Sequence, residues 1–209
     1  MGRFTDKTHE FSIYDVPKGG GTTIRSWIHY KYKGNLGIEG FGNGYKSQST
    51  KSYKHLNELG FRVEWFNPVP GEKICIKRDP IQRFLSCYKD KILREGNCDK
   101  IRLDKFIGNV DKIIQKYDFN HTPKVKFLKY HFAPQHKILG DSKTIYNHVF
   151  DISEMDTRVK EYLEDMWKIK LPKLHCRNQS KRKYGLNLTT SQRKLLEDRY
   201  AKDYQIGWC

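Results

Sequence analysis

Apolar and polar positions along the chain alternate between a strand-like and a helix-like period. Residues 11–16 (FSIYDV) and 73–77 (KICIK) are short, apolar and β-rich, and residues 61–66 and 146–152 share this character. Runs of about four to eight such residues are typical of strands. An apolar run between charges, such as KICIK, is typical of a strand that is buried on both faces. The pattern therefore predicts a sheet built from these segments.

Helical periodicity fills the stretches that separate and follow these strands. Thr22 caps the first predicted helix, residues 50–59 form a second, and Asp79 and Pro80 open a third. Residues 103–117 form a fourth, and Ser153 caps a fifth. A Thr189-to-Gln192 capping box opens the last helix, which is predicted to bury Leu195, Leu196 and Tyr200. Alternating strands and helices indicate an α/β domain with a mainly parallel sheet flanked by helices. No linker or repeat divides the chain, so a single domain over residues 1–209 is predicted.

The loop after the first strand, VPKGGGTTIRSW at residues 16–27, has the composition of an anion cradle. Its glycines, Gly19, Gly20 and Gly21, let backbone N–H groups approach a phosphate without interference from a Cβ atom. Thr22 and Thr23 add hydroxyl donors, Lys18 adds a full positive charge, and the helix start adds partial positive charge. A glycine-rich turn that binds nothing is the alternative interpretation.

The ATP-binding pattern GxxxxGK[ST] does not fit this loop, because Lys18 precedes the glycines instead of following them. No acidic strand end that would hold magnesium stands out either. The five cysteines form no CxxC pair, so a zinc site is not predicted, and Cys75 and Cys87 are expected to be buried thiols. A nucleotide kinase of P-loop type is therefore a secondary hypothesis.

A second motif follows the strand at residues 73–77, in the run CIKRDPIQRFLSCY. Arg78 precedes a predicted helix and can form paired hydrogen bonds with a phosphate, and Ser86, eight residues later, adds a hydroxyl. Asp79 is interpreted as a helix cap, and Arg83 either as part of a phosphate site or as an ion pair at the helix surface or core edge. The order of the two motifs resembles that of sulfotransferases. The RDPxxRFxSxY form resembles the Golgi carbohydrate branch, which includes the heparan 2-O-sulfotransferases.

This resemblance implies a P-loop-like three-layer fold and the sulfuryl donor 3′-phosphoadenosine-5′-phosphosulfate (PAPS), with 3′-phosphoadenosine-5′-phosphate (PAP) as product and no metal. The acceptor is expected to be a hydroxyl of a carbohydrate or another polar molecule. Two later segments resemble the family as well: HFAPQHKIL, from His131, and the closing stretch that begins NQSKRKYG. The resemblance assigns cofactor contacts to Pro17, Lys18, Gly19, Gly20, Gly21, Thr22, Thr23, Arg78, Ser86, Arg177, Ser180 and Lys181.

In the mechanism that the resemblance implies, Lys18 stabilises the charge that develops on the leaving oxygens. The acceptor hydroxyl needs a general base. His55, His131 and the carboxylate Glu64 are the candidates, and the sequence does not choose among them. Three further cations are interpreted as groups that steer an anionic acceptor or as solvated surface charges: Arg62, Lys89 and Lys91.

The sequence departs from the family's pattern in two respects. Many relatives carry an adenine-stacking tryptophan where this chain has Ile24, and Trp27 lies one helical turn further on, so the stacking group is unassigned. The chain is also short and shows no signal or membrane segment. It is therefore expected to be a minimal bacterial or viral form in the cytoplasm, or a Golgi luminal enzyme if an N-terminal anchor was removed.

The charge of the chain is strongly positive: 40 lysines and arginines face 24 acidic residues, a formal net charge of +16. Such a field attracts polyanions, including a phosphorylated cofactor and an anionic glycan. A non-catalytic protein that binds polyanions or nucleic acid is a further hypothesis. Because no nucleic-acid motif occurs and the basic residues are spread along the chain, nucleic acid is not the expected partner. The oligomeric state is not predicted.

Overall fold

The computed structural model describes residues 2–5, 11–34, 71–96, 100–118, 126–173 and 186–209. The chain forms two compact units. The first unit contains residues 1–15, 19–76 and 144–177, and the second contains residues 16–18, 77–143 and 178–209. The single domain predicted over the whole chain stays a prediction. The expected helix at 50–59 and strand at 61–66 lie outside the described residues.

The described strands form one sheet in the order β1 (Gly2–Thr5), β2 (Phe11–Asp15), β3 (Glu72–Lys77) and β4 (His148–Asp151). Three of the strands are parallel, and β1 pairs antiparallel with β2 at the edge. All five residues of β2 are buried, the pattern of a strand covered on both faces. The sheet thus has the mainly parallel arrangement that the sequence predicts. The strand β1 was not predicted, because its residues form a strand only through pairing with β2.

The α-helices of the described ranges are, in chain order, α1 (Gly21–Lys33), α2 (Pro80–Cys87), α3 (Leu103–Gly108), α4 (Val110–Asp118), α5 (Lys126–Phe132), α6 (His136–Leu139), α7 (Lys160–Trp167), α8 (Thr190–Arg199) and α9 (Ala201–Ile206). The helix α2 continues as a π-helix over Tyr88–Arg94. A 3₁₀ turn, Ile152–Glu154, and a π-helical turn, Met155–Val159, lead from β4 into α7. No helix among these residues is long and apolar enough to cross a membrane.

The core of the first unit packs apolar side chains of the sheet against α1 and α7. Its buried members include Phe11, Ile13, Ile24, Trp27, Ile28, Ile74, Ile76, Phe150, Leu163 and Trp167. The indole Nε1 of Trp27 donates to the Pro172 carbonyl at 3.1 Å, and the side chain is fully buried. Trp27 and Ile24 are therefore core residues, which leaves the adenine-stacking group unassigned.

The core of the second unit is a cluster of aromatic rings on α2, α3, α5 and the residue after α8. Phe84 lies 5.9 Å from Phe106, 5.3 Å from Phe132 and 6.4 Å from Tyr200, measured between ring centroids. All four side chains are fully buried, so this cluster fixes α2 within its unit. The helix that carries Arg83 and Ser86 is thus held by packing, not by loops alone.

Local capping signals predict several helix ends correctly. Asp79 accepts a hydrogen bond from the Gln82 N–H at 2.7 Å, and Pro80 is the first residue of α2. Thr189 and Gln192 form the expected capping box at the start of α8. These signals succeed because a cap is made by residues three positions apart, with no help from the rest of the chain.

Other boundaries differ from the prediction. The helix α1 begins at Gly21 with Gly20 as its cap, so Thr22 lies inside the helix. The cap near residue 153 is Asp151, whose carboxylate accepts the Ser153 N–H at 2.8 Å. The helix predicted over 103–117 is interrupted at Asn109, where φ is −138°. In α8, Leu195 is 51% exposed, whereas Leu196 and Tyr200 are buried as expected.

Candidate functional site

The glycine loop between β2 and α1 spans the division between the two units. Pro17 and Lys18 belong to the second unit, and the loop continues as Gly19, Gly20, Gly21, Thr22 and Thr23 in the first. Lys18 has φ of 68° and Gly20 has φ of 91°. A left-handed conformation is uncommon for a lysine and costs free energy, and Lys100 and Lys168 adopt it as well. No side chain caps α1, and its first turn contains no acidic residue.

Within the second unit, the two sequence motifs meet at Lys18. The Arg78 Nη1 donates a hydrogen bond of 2.9 Å to the carbonyl oxygen of Lys18. This contact joins the residue before the glycines to the first residue after β3, 60 positions further along the chain. It helps to hold Lys18 in its unfavourable conformation and keeps the two cationic residues side by side.

The ammonium group of Lys18 has a carboxylate partner, Asp90, which lies in the π-helical continuation of α2. The Nζ–Oδ2 distance is 3.3 Å, and only 12% of the Asp90 side chain is exposed. Burial opposes ionisation of Asp90, but the positive charges of Lys18, Lys91 and Arg94 outweigh it and hold the pKa of Asp90 below its ordinary value. Asp90 is therefore an ionised, partly buried counter-ion of Lys18.

Gln135 fixes the backbone of Arg78. Its Oε1 accepts the Arg78 N–H at 3.2 Å, and its Nε2 donates to the carbonyls of Arg78 and Trp208 at 2.7 and 2.6 Å. Gln135 is fully buried, and its own N–H donates to Asp203 at 2.7 Å. Asp203, on α9, also accepts from the N–H and Nδ1 of His136. The Arg78 turn is thus locked to α6 and the C-terminal helix.

Arg83 is fully buried, so the expectation of a surface or core-edge ion pair is wrong. Its guanidinium donates to the carbonyl of His131 at 2.9 Å and to that of Ala133. The Cys87 thiol points to the same His131 carbonyl at 3.2 Å, and burial raises the pKa of this thiol. Arg83 therefore anchors the end of α5 and fixes the backbone of His131.

The remaining predicted residues divide into placed and unplaced ones. Ser86 is half-buried on α2, and Lys89 and Lys91 are half-buried in the π-helical stretch. Cys75 and Cys87 are buried thiols outside any disulfide, as expected. The others lie outside the described residues and keep their predicted roles as predictions: His55, Arg62, Glu64, Arg177, Ser180 and Lys181.

Asp15, the last residue of β2, is a buried carboxyl that the sequence reading missed as a site residue. Desolvation raises its pKa to about 6, against the opposing effect of Arg25. A Cβ atom added to Gly21 would overlap the Asp15 carboxylate, so this glycine is required by packing inside the first unit. Asp15 thus places a titratable group next to the beginning of α1.

The Asp15→Asn variant is expected to be more stable than the parent protein at pH 8, by up to about 3 kcal/mol, and equally stable near pH 4. The folded state binds the Asp15 proton more tightly than the unfolded chain does. The stability that this carboxyl contributes is therefore complete below its unfolded pKa and lost as the pH rises through about 6. Urea unfolding from pH 4 to pH 8 measures the difference between the two proteins.

Asp111 provides the opposite case for comparison. Its hydrogen bonds to Arg199 hold the pKa of this carboxyl below its ordinary value, although burial opposes them. The Asp111→Asn variant should therefore lose a modest amount of stability at pH 8 and none at low pH.

A constant difference between Asp15→Asn and the parent protein at all pH values would contradict a buried, titrating Asp15.

Gly20→Ala is expected to destabilise the protein by about 1–2 kcal/mol through its left-handed φ alone, with an added cost because the new Cβ would overlap the Met155 methyl group. Gly34→Ala is the matched control, since Gly34 has φ of 69° and no atom of the described residues lies within 4 Å of an added Cβ. The difference between the two midpoints in thermal unfolding measures the packing of Met155 under the loop. Equal losses would show that this packing contributes nothing.

Sequence signals for the missed residues exist, but they are weak. Asp90 lies four positions after Ser86, one helical turn further on, and Gln135 belongs to the HFAPQ stretch. Asp203 belongs to the closing Asp-Tyr pair. The sequence does not predict the contacts of Asp90 with Lys18, of Gln135 with Arg78 or of Asp203 with Gln135, because these partners are distant along the chain.

The comparisons with known proteins agree with the two motifs. No curated protein and no solved structure matches the chain. A sequence model described as "Sulfotransferase family" matches residues 2–206. Together with the three parallel strands, this match confirms the expected P-loop-like α/β fold. It does not confirm the heparan 2-O-sulfotransferase branch. Since the match covers almost the whole length, the chain belongs to the sulfotransferase family.

Proposed function

We propose that the protein transfers the sulfuryl group of PAPS to a hydroxyl of a carbohydrate or another polar acceptor. The observation that carries this proposal is the 2.9 Å hydrogen bond from Arg78 to the Lys18 carbonyl, which joins the lysine before the glycines to the arginine of the second motif inside the second unit. Two separated phosphate-binding signals that meet in the fold favour a donor with phosphates at both ends. The family match supports sulfuryl transfer in general.

The residues at hand suit such a donor. Lys18 and Arg78 supply two cations in the second unit, and the loop that follows Lys18 enters α1, whose first turn contains no acidic residue, while the Asp15 carboxyl lies next to Gly21. When bound, PAPS supplies an activated sulfuryl group. Lys18 would balance charge on the leaving oxygens, and the Arg78 guanidinium would bind the 3′-phosphate.

Proton removal from the acceptor is the role left for His131, His55 or Glu64. His131 is the one of these that the structure describes, and the hydrogen bond from Arg83 to its carbonyl gives it a fixed backbone. The net charge of +16 favours an anionic acceptor, of which a sulfated or carboxylated glycan is an example. The base and the acceptor are both part of the proposal.

Ligand-dependent thermal unfolding tests the donor. At about 100 times its dissociation constant, PAP in EDTA should add about 2.7 kcal/mol to the stability. For a chain of this size each kcal/mol shifts the midpoint by about 2–4 °C. ATP with magnesium is the competing ligand, as expected for a nucleotide kinase. Transfer of radiolabelled sulfate from PAPS to a panel of anionic glycans then tests the reaction.

Variants separate specific binding from general charge. The PAP shift should vanish in Arg78→Ala and persist in Arg102→Ala, whose side chain is 82% exposed and pairs with Asp104. A shift with ATP and magnesium alone would favour the kinase instead. Equal responses of both variants, or binding to DNA but not to PAP, would favour the polyanion-binding hypothesis and reject the proposal.

A further inference from the structure

The ion pair between Lys18 and Asp90 lies beside the proposed donor site, and neither the motifs nor the family match assigns a role to Asp90. Its carboxylate is 3.3 Å from the Lys18 ammonium, and both side chains are largely shielded, at 12% and 23% exposure. Partly buried pairs are screened less than surface pairs, so this contact restrains the lysine more than a solvent-exposed one would.

The backbone that carries Asp90 has an unusual helical geometry. Residues 88–94 form a π-helix, and the N–H of Glu95 donates to the Asp90 carbonyl, five residues back, at 3.1 Å. Such wide turns are rare and occur frequently at functional sites. Lys91 and Arg94 also contact the Asp90 carboxylate, so its charge remains balanced when Lys18 turns toward another anion.

We propose that Asp90 is the positioning residue that holds the ammonium group of Lys18, in competition with the anionic donor. This inference rests on the proposed function. A lysine side chain has four rotatable bonds and is mobile unless a partner fixes it. The contact with one Asp90 oxygen restricts the positions that this ammonium group can take. The same carboxylate places a negative charge near the donor and opposes its binding.

Two opposite effects follow for Asp90→Asn. PAP should bind about five-fold more tightly, because the amide does not compete for the ammonium and one negative charge is gone. The value of kcat for sulfuryl transfer should fall about 10- to 100-fold, because the lysine is no longer held in its working position. A substitution that only damages the fold would weaken binding and kcat together. Asp90→Glu keeps the charge and should recover most of kcat.

The matched control is Glu95→Gln. Glu95 lies just after the same π-helix and contacts Lys91 at 2.8 Å and Arg94 at 3.4 Å. The Glu95→Gln substitution removes one negative charge at the end of the same helix. A general charge effect would therefore tighten PAP binding equally in Glu95→Gln and Asp90→Asn. Binding of PAP to Lys18→Ala with and without Asp90→Asn completes a double-mutant cycle, in which the tightening should disappear when Lys18 is absent.

The experiment is isothermal titration of PAP into the six proteins, with PAPS turnover of those that retain Lys18. Tighter binding and lower kcat in Asp90→Asn alone, with rescue by Asp90→Glu, supports the inference. If PAP binds the parent protein but Asp90→Asn behaves like Glu95→Gln, or tightens binding without Lys18, the inference is wrong and the donor assignment stands. If the parent protein binds no PAP, both fail. Should Asp90→Asn not fold, the comparison is repeated with Asp90→Ser at a temperature where that variant is folded: tighter PAP binding with lower kcat supports the inference, and a parallel loss of both overturns it.

Discussion

Replacing Asp203 by alanine is expected to cost about 3–5 kcal/mol of stability, the range found when one partner of a buried charged network is removed. The fully buried carboxylate accepts hydrogen bonds from the Gln135 N–H and from the N–H and Nδ1 of His136, all between 2.7 and 2.8 Å. Without it, two backbone N–H groups and an imidazole remain buried with no acceptor. Urea unfolding at pH 7.5 measures the loss.

The same variant should also bind PAP more weakly at a temperature where it remains folded. Gln135 connects Asp203 to both backbone groups of Arg78, so a displaced Gln135 releases the arginine that is proposed to bind the 3′-phosphate. Asp198→Ala is the control, because Asp198 is 60% exposed and forms a surface pair with Lys194. It should change stability by less than about 0.5 kcal/mol. A loss below about 1 kcal/mol for Asp203→Ala would contradict the network.

Lys18→Ala is expected to lower kcat about 100- to 1000-fold while changing the unfolding midpoint little, the loss seen when one group that stabilises developing charge is removed. The lysine ammonium is the cation closest along the chain to the glycine loop, and alanine leaves the loop's backbone contact with Arg78 available. Because the acceptor is unknown, release of labelled sulfate from PAPS to water serves as the readout along with transfer to glycans.

Lys91→Ala provides the comparison for this effect. Lys91 is a partly shielded lysine of the same unit that also contacts Asp90, at 3.6 Å, so it tests whether any cation near Asp90 suffices. Its kcat should stay within about three-fold of the parent value, the range of a modest surface charge change. A Lys91→Ala loss as large as that of Lys18→Ala would refute a special role for Lys18.

Elements with short-range signals were predictable. Asp79 and Pro80 define the start of α2, and the Thr189–Gln192 box defines the start of α8, because caps depend on neighbours along the chain. The fold class was predictable because hydrophobic periodicity, which is also a short-range signal, alternates between strand and helix along the chain. Lys18 was singled out from its place beside the glycines and Arg78 from the motif that the family resemblance supplies, and the structure brings the two residues together.

Features that depend on distant partners were not predictable. The guanidinium of Arg83 is buried because two carbonyls at the end of α5 accept its hydrogen bonds, and no local sequence pattern predicts this contact. The edge strand β1 needs β2, and the break at Asn109 interrupts an unbroken amphipathic pattern. Lys18 lies 72 positions from Asp90, and Gln135 lies 68 positions from Asp203. Such residues become visible only when the chain is folded.

Trp208 gives the second unit its own optical probe. By sequence the chain has tryptophans at positions 27, 65, 167 and 208, and of these only Trp208 falls in the segments of the second unit. Its indole is fully buried, donates to the Gly140 carbonyl at 3.0 Å and has the Lys143 ammonium 5.9 Å from the ring centre. In a variant with Trp27, Trp65 and Trp167 replaced by phenylalanine, the fluorescence would come from Trp208 alone. It would therefore report unfolding of the C-terminal segment that is hydrogen-bonded to Gln135, separately from unfolding of the sheet.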